Sequence, residues 1–104
     1  MGEEKLLALH IFIDESDEYD GKPLAEYLLN YLLQHKVSGA TLLRAEAGFG
    51  SRHHVHHPKH FGTLDEVPLV LMVVEREEVL RPLLPEIRQY IGDHPATIGV
   101  VEKF

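Results

Sequence analysis

The apolar positions of this chain follow two periods. Lys5–Ile13 alternates, yet both phases are apolar: Leu7, Leu9, Ile11 and Ile13 fall on one face, Leu6, Ala8, His10 and Phe12 on the other. Successive strand side chains point to opposite faces, so this segment predicts a strand with two apolar faces. Val67–Glu75 repeats the pattern, with Val67, Leu69, Leu71 and Val73 against Val70, Met72 and Val74. Pro68 stands near its start, where a missing N–H is tolerated. Ala40–Ala47 and Ala96–Lys103 predict two further strands.

Between the strands the period changes. Leu24, Tyr27, Leu28, Tyr31 and Leu32 make one helical stripe behind Lys22-Pro23, and proline suits the first turn of a helix. His35 and Lys36 stand where the helix dipole favours cations, and Ser38-Gly39 ends the segment. Leu80, Leu83, Leu84, Ile87, Tyr90 and Ile91 make a second stripe within Glu77–Ile91. Pro82 and Pro85 predict a late start or a kink there, and Gly92-Asp93-His94-Pro95 is a stop signal.

The order is strand, helix, strand, long loop, strand, helix, strand. Two β-α-β halves, about 5–47 and 67–103, form a single domain over residues 1–104. The leading expectation is an α+β, ferredoxin-like βαββαβ sandwich: an antiparallel sheet with two helices on one face. Those helices cover one side only, and the chain has no spare helix for the other. Self-association is the economical cover for a second apolar face. The alternative is a sheet covered by its own long loop.

Composition narrows the function. At 104 residues and 44% hydrophobic, the chain builds one real core. With no cysteine, disulfides, thiolate catalysis and Cys-ligated zinc are excluded. The net charge of −7 argues against a nucleic-acid partner, which needs clustered Lys and Arg. The longest strictly apolar run, Leu69–Val74, is far short of the roughly 20 residues of a membrane helix, so no membrane insertion is expected. Residues 1–9 show no leader-like apolar region, and a cytoplasmic location is expected. Ser16, Ser38 and Ser51 lack a nucleophile context and no P-loop is present, so an enzyme is not expected.

Charge is unevenly placed. Asp14, Glu15, Asp17, Glu18 and Asp20 crowd one segment, which reads as a solvated loop. His53, His54, His56, His57 and His60 crowd another, with Arg52 and Lys59, inside the long connection Gly48–Glu66. Structureless loops beyond about 12–15 residues are usually functional or disordered. Gly48 and Gly50 bracket Phe49, so backbone N–H groups can approach an anion and the ring can stack on a base or anchor the loop; a simple turn or bulge is the other reading. Arg44 and Arg52 flank this turn and suit bidentate phosphate contact. His53, His54, His56 and His57 offer two imidazole pairs to Zn²⁺ or Cu²⁺, although their spacing matches no closed zinc signature. The competing reading is a polar loop whose mobility or partner binding changes between about pH 5.5 and 7.5.

Asp20-Gly21-Lys22-Pro23-Leu24, Gly39-Ala40-Thr41, Arg44, Gly48-Phe49-Gly50, the His-rich segment and Val67-Pro68-Leu69-Val70 together resemble domain of unknown function 190. That family is similar to the PII signalling proteins, and the resemblance spans about residues 5–103. Thr63-Leu64-Asp65-Glu66-Val67-Pro68 departs from it, standing where a Leu-Ser pair precedes Asp-Leu-Pro. The resemblance implies a homotrimer with the strands inside and a small effector, often an adenine nucleotide, in clefts between subunits. It also implies a long loop that docks on a target protein, such as a transporter. Gly48, Phe49 and Gly50 would then lie at the loop base beside the cleft, with Lys22, Arg44 and Arg52 as anion contacts. The expected function is a PII-like signalling regulator acting through residues 48–66. The alternative is a divalent-metal-binding or metal-tolerance protein using His53, His54, His56 and His57.

Overall fold

The structure, a computed structural model, describes residues 5–48 and 67–104. In chain order the elements are β1 (Leu6–Asp14), a short hairpin of β2 (Glu18–Tyr19) and β3 (Lys22–Pro23), α1 (Leu24–Gln34), β4 (Ala40–Arg44) and β5 (Pro68–Arg76). Then come α2 (Glu77–Leu80), a 3₁₀ turn (Arg81–Leu83), α3 (Leu84–Ile91) and β6 (Ala96–Val101). The four long strands form one sheet in the order β4-β5-β1-β6, with every neighbouring pair antiparallel. This is the ferredoxin-like α+β arrangement expected from the order of elements.

β1 is the centre of the sheet. It pairs with β5 over nine residues, from Leu6↔Arg76 to Asp14↔Pro68, and with β6 from Leu6↔Val101 to Ile11↔Ala96. Its odd positions, Leu7, Leu9, Ile11 and Ile13, are buried with Leu69, Leu71 and Val73 beneath the helices. Leu24, Leu28 and Leu32 of α1 close the core from above, together with Leu80, Ile87 and Ile91. Ile11, Leu28, Leu71 and Leu80 have no exposed surface.

Three local features differ from a plain reading of the periods. The second helical stripe is broken into α2, a 3₁₀ turn and α3. Pro82 and Pro85 each occupy the opening turn of their element, where the missing N–H has no intrahelical acceptor to lose. β4 ends at Arg44 rather than Ala47; Ala45 N–H still donates to the Pro68 carbonyl (2.9 Å), and Gly48 returns beyond it as an isolated bridge. The acidic stretch is not merely solvated. Asp20 (φ 54°) and Gly21 (φ 78°) turn the β2–β3 hairpin, the backbone that an Asp-Gly pair adopts at little cost. Asp17 Oδ2 accepts the Asp14 N–H at 2.7 Å and fastens its start.

The other face of the sheet carries the even positions of β1. Leu6, Ala8 and Phe12 lie beside Val70, Met72 and Val74 of β5 and Leu43 of β4. No described element covers them: Phe12 is 41% exposed and Val74 50%. His10 sits within this face, opposite Met72 and Thr97. Among the described residues, no helix is long and apolar enough to cross a membrane.

The asymmetry makes a stability prediction. Leu71→Ala opens a cavity in a fully enclosed site and should cost about 2–5 kcal/mol in urea unfolding. A loss below about 1 kcal/mol would contradict this account of the core.

Candidate functional site

The end of the sheet that carries the roots of the 49–66 segment is tightly tied. Glu15 N–H donates to the Val67 carbonyl (2.7 Å), Phe12 N–H to the Pro95 carbonyl (3.0 Å) and Leu24 N–H to the Asp17 carbonyl (2.8 Å). Arg88 Nη1 donates to the carbonyls of Gly92 and His94, each at 2.8 Å, and shapes the turn before β6. Gly92 adopts φ 61°, a conformation that a Cβ would strain. His94 Nε2 lies 3.2 Å from Asp17 Oδ2 and joins that turn to the β1–β2 connection. Strand ends and turns from distant parts of the sequence thus meet at one edge of the sheet.

The residues singled out from sequence fall as follows. Arg44 stands at the end of β4, exposed, with its guanidinium ion-paired to Glu15. Such a surface pair contributes roughly 0–1 kcal/mol, so Arg44 can leave it for a better anion at small cost. Gly48 is the last described residue before the segment, and a Cβ there would make an ordinary 3.6 Å contact with the Pro68 ring. Lys22 belongs elsewhere, in a groove between α1 and α3. Phe49, Gly50, Arg52, His53, His54, His56 and His57 lie outside the described residues. Among the described residues no group of three or more His, Asp or Glu is placed to hold a metal.

The opposite end of the sheet holds a feature the motifs did not reveal. A cleft of about 810 Å³ lies there, with Leu6, Val74 and Val101 as apolar wall and Lys36, Arg76 and Lys103 as basic rim. At its base is Glu75, only 5% exposed. Glu75 Oε1 accepts from the Ser38 N–H (2.6 Å) and hydroxyl (2.9 Å), and Oε2 from the Arg76 N–H (2.9 Å). Burial alone would push this carboxyl up; the Ser38 and Arg76 N–H groups, the Ser38 hydroxyl and the Arg76 guanidinium outweigh it and hold it below its ordinary value. The carboxylate therefore clamps the α1–β4 turn to the end of β5. A signal did exist in the sequence: Glu75 is the one charged residue in the buried phase Leu69, Leu71, Val73, Glu75.

The family model of DUF190, described as uncharacterized ACR, COG1993, matches residues 6–103. The chain belongs to this family. Relatives of this chain include a UPF0166 protein of Aquifex aeolicus, 34% identical over 90 residues that cover 86% of this chain and 83% of the relative. A UPF0166 protein of Methanocaldococcus jannaschii is 26% identical over 90 residues, covering 86% and 82%. Among solved structures, CPII from Thiomonas intermedia, a nitrogen regulatory PII-like protein bound to ADP, AMP and bicarbonate, superposes with a TM-score of 0.63. It is 21% identical, over 93% of this chain and 84% of that one. A second CPII structure, bound to ADP, AMP and acetate, gives 0.60 at 20% identity, over 96% and 91%. The DUF190 chain thus has the PII-like version of the ferredoxin-like fold.

The clamp predicts a pH signature. Because the folded Glu75 carboxyl lies below its ordinary value of 4.5, its stabilisation is complete above that pH and is lost as pH falls through the folded value. Glu75→Gln should cost about 1–3 kcal/mol at pH 7, and its deficit relative to the parent should shrink on acidification below about pH 4.5. Urea melts from pH 7 to pH 3 measure this; a deficit constant with pH would contradict it.

Proposed function

We propose that this DUF190 chain is a non-enzymatic, PII-like cytoplasmic signalling regulator. In this reading it forms a homotrimer, binds an adenine nucleotide in clefts between subunits, and uses residues 48–66 to regulate a partner protein. The observation that carries the reading is the uncovered apolar face of the sheet, with Phe12 and Val74 about half exposed. Contiguous apolar surface of this kind marks an interaction site. Closing three such faces on one another places the ends of neighbouring sheets side by side, and clefts form there. The CPII structures, which share this fold, hold ADP and AMP, and this supports a nucleotide as the effector.

Within such a cleft Arg44 is the described residue best suited to a phosphate. It is exposed, stands at the root of the 48–66 segment, and among the described residues gives up the Glu15 carboxylate alone. A phosphate offers the same bidentate geometry with more charge. Gly48, Phe49, Gly50 and Arg52 follow it in sequence, so binding at Arg44 would bias the arrangement of the whole segment. A ligand that reverses a 1:99 loop equilibrium needs about 5.5 kcal/mol of preference for one state.

Calorimetry with AMP, ADP and ATP tests the proposal. Saturable binding of at least one is expected, with affinity about tenfold weaker in Arg44→Ala, as for the loss of one charge-assisted contact of about 1.4 kcal/mol. No heat with any nucleotide at millimolar concentration would overturn the nucleotide reading.

A further inference from the structure

The helical side of the molecule carries a polar aromatic groove that the nucleotide reading does not use. All four tyrosines of the chain, Tyr19, Tyr27, Tyr31 and Tyr90, pack into one cluster there. Their ring centroids are 4.8–5.2 Å apart with interplanar angles of 61–78°, an edge-to-face arrangement. The Tyr31 hydroxyl donates to Glu86 Oε1 at 2.7 Å, and the Tyr90 hydroxyl faces the same carboxylate. The His35 ring lies 4.2 Å from that of Tyr31, with Nδ1 2.9 Å from the Tyr31 carbonyl oxygen. All of these side chains but Tyr19 line a groove of about 300 Å³ between α1 and α3, together with Lys22, Asn30 and Gln34.

Core packing does not require this chemistry. Elsewhere the helices meet the sheet through Leu and Ile, which bury apolar area without needing a hydrogen-bond partner. Here two hydroxyls converge on an exposed carboxylate and fix its direction. Their contact holds the Glu86 carboxyl below its usual range, while burial and the same contact push the Tyr90 phenol up to about 12, so at neutral pH the pair is an oriented anion and a neutral donor. A carboxylate offers about four acceptor positions, and two phenols leave the others available.

We propose that this groove binds a guanidinium side chain presented by a partner protein, with Glu86 as counter-ion and the tyrosine rings as platform. Three features favour a cation over an anion. Among the described residues that line the groove, Glu86 is the one carboxylate. Beside it α1 ends at His35, and the C-terminal end of a helix dipole attracts positive charge. The faces of tyrosine rings attract it as well. The groove's cationic residue, Lys22, precedes α1 and so stands at the far end of that helix from His35. A planar guanidinium can fork onto the carboxylate while stacking on a ring, which a compact ammonium cannot do. The chain's own nearby arginines are engaged elsewhere: Arg88 with the Gly92 and His94 carbonyls, Arg81 with Glu77. The charge of −7 steers a basic partner toward the molecule.

NMR titration of the full chain with N-acetyl-arginine amide, against N-acetyl-citrulline amide as the uncharged analogue, tests the proposal. Saturable shifts at Tyr31, Tyr90 and His35 are expected with the arginine probe alone, with a Kd on the order of 1–10 mM for one side chain. Glu86→Gln keeps an acceptor for both phenols at an exposed site and should weaken binding at least roughly tenfold. Tyr27→Leu leaves the Tyr31 donor to Glu86 in place and should weaken it a few-fold, on the order of one cation–π contact. No saturation, equal binding of citrulline, or undiminished binding in either variant would overturn the proposal. AMP or ADP binding, measured in the same Glu86→Gln protein, is expected to be unchanged; a matching loss there would equally overturn a separate site.

Discussion

The structure is governed by an imbalance between apolar faces and helices. Four strands make a sheet whose central members, β1 and β5, are apolar on both sides. Yet the described helices supply cover for one side alone. Burying apolar surface contributes about 25 cal/mol per Å², so the core under α1 and α3 accounts for the stability of a single copy. The same coefficient makes the open side, with Phe12, Val74 and Leu43, a surface that gains by leaving water.

Much of the fold was legible because a two-residue period and a 3.6-residue period are hard to confuse when each is sustained. The double apolar phases of Lys5–Ile13 and Val67–Glu75 marked two strands with apolar residues on both faces, and Pro82 with Pro85 marked the break in the second helix. Ends were less legible. β4 stops at Arg44 because its partner Leu69 lies next to the first residue of β5, a fact of register that no local pattern in Ala40–Ala47 expresses. The hairpin at Asp20-Gly21 carried a turn signal, but five acidic residues nearby suggested only solvation.

The site was legible in a different proportion. Arg44 and Gly48 were readable as residues next to an unusual segment, while Phe49, Gly50, Arg52 and the four paired histidines fall outside the described residues. The Glu75 clamp and the tyrosine–Glu86 cluster depend on contacts between residues 37 and 55 positions apart. Only tertiary packing brings Ser38 to Glu75 or Tyr31 to Glu86. What sequence offered was the anomaly itself: a carboxylate in the buried phase of a strand, and tyrosines in a helical stripe where leucine would serve.

The central claim is that sister copies cover the open face. Sedimentation equilibrium of the chain, alongside a Val74→Asp variant, addresses it most directly. Val74 is half exposed in one copy, so the substitution leaves the core under the helices intact. The account predicts a parent species three times the 11.8 kDa chain mass and a folded variant shifted toward monomer, since an unpaired charge in a buried interface costs several kcal/mol. A parent protein that sediments as a single 11.8 kDa chain at working concentration would contradict it.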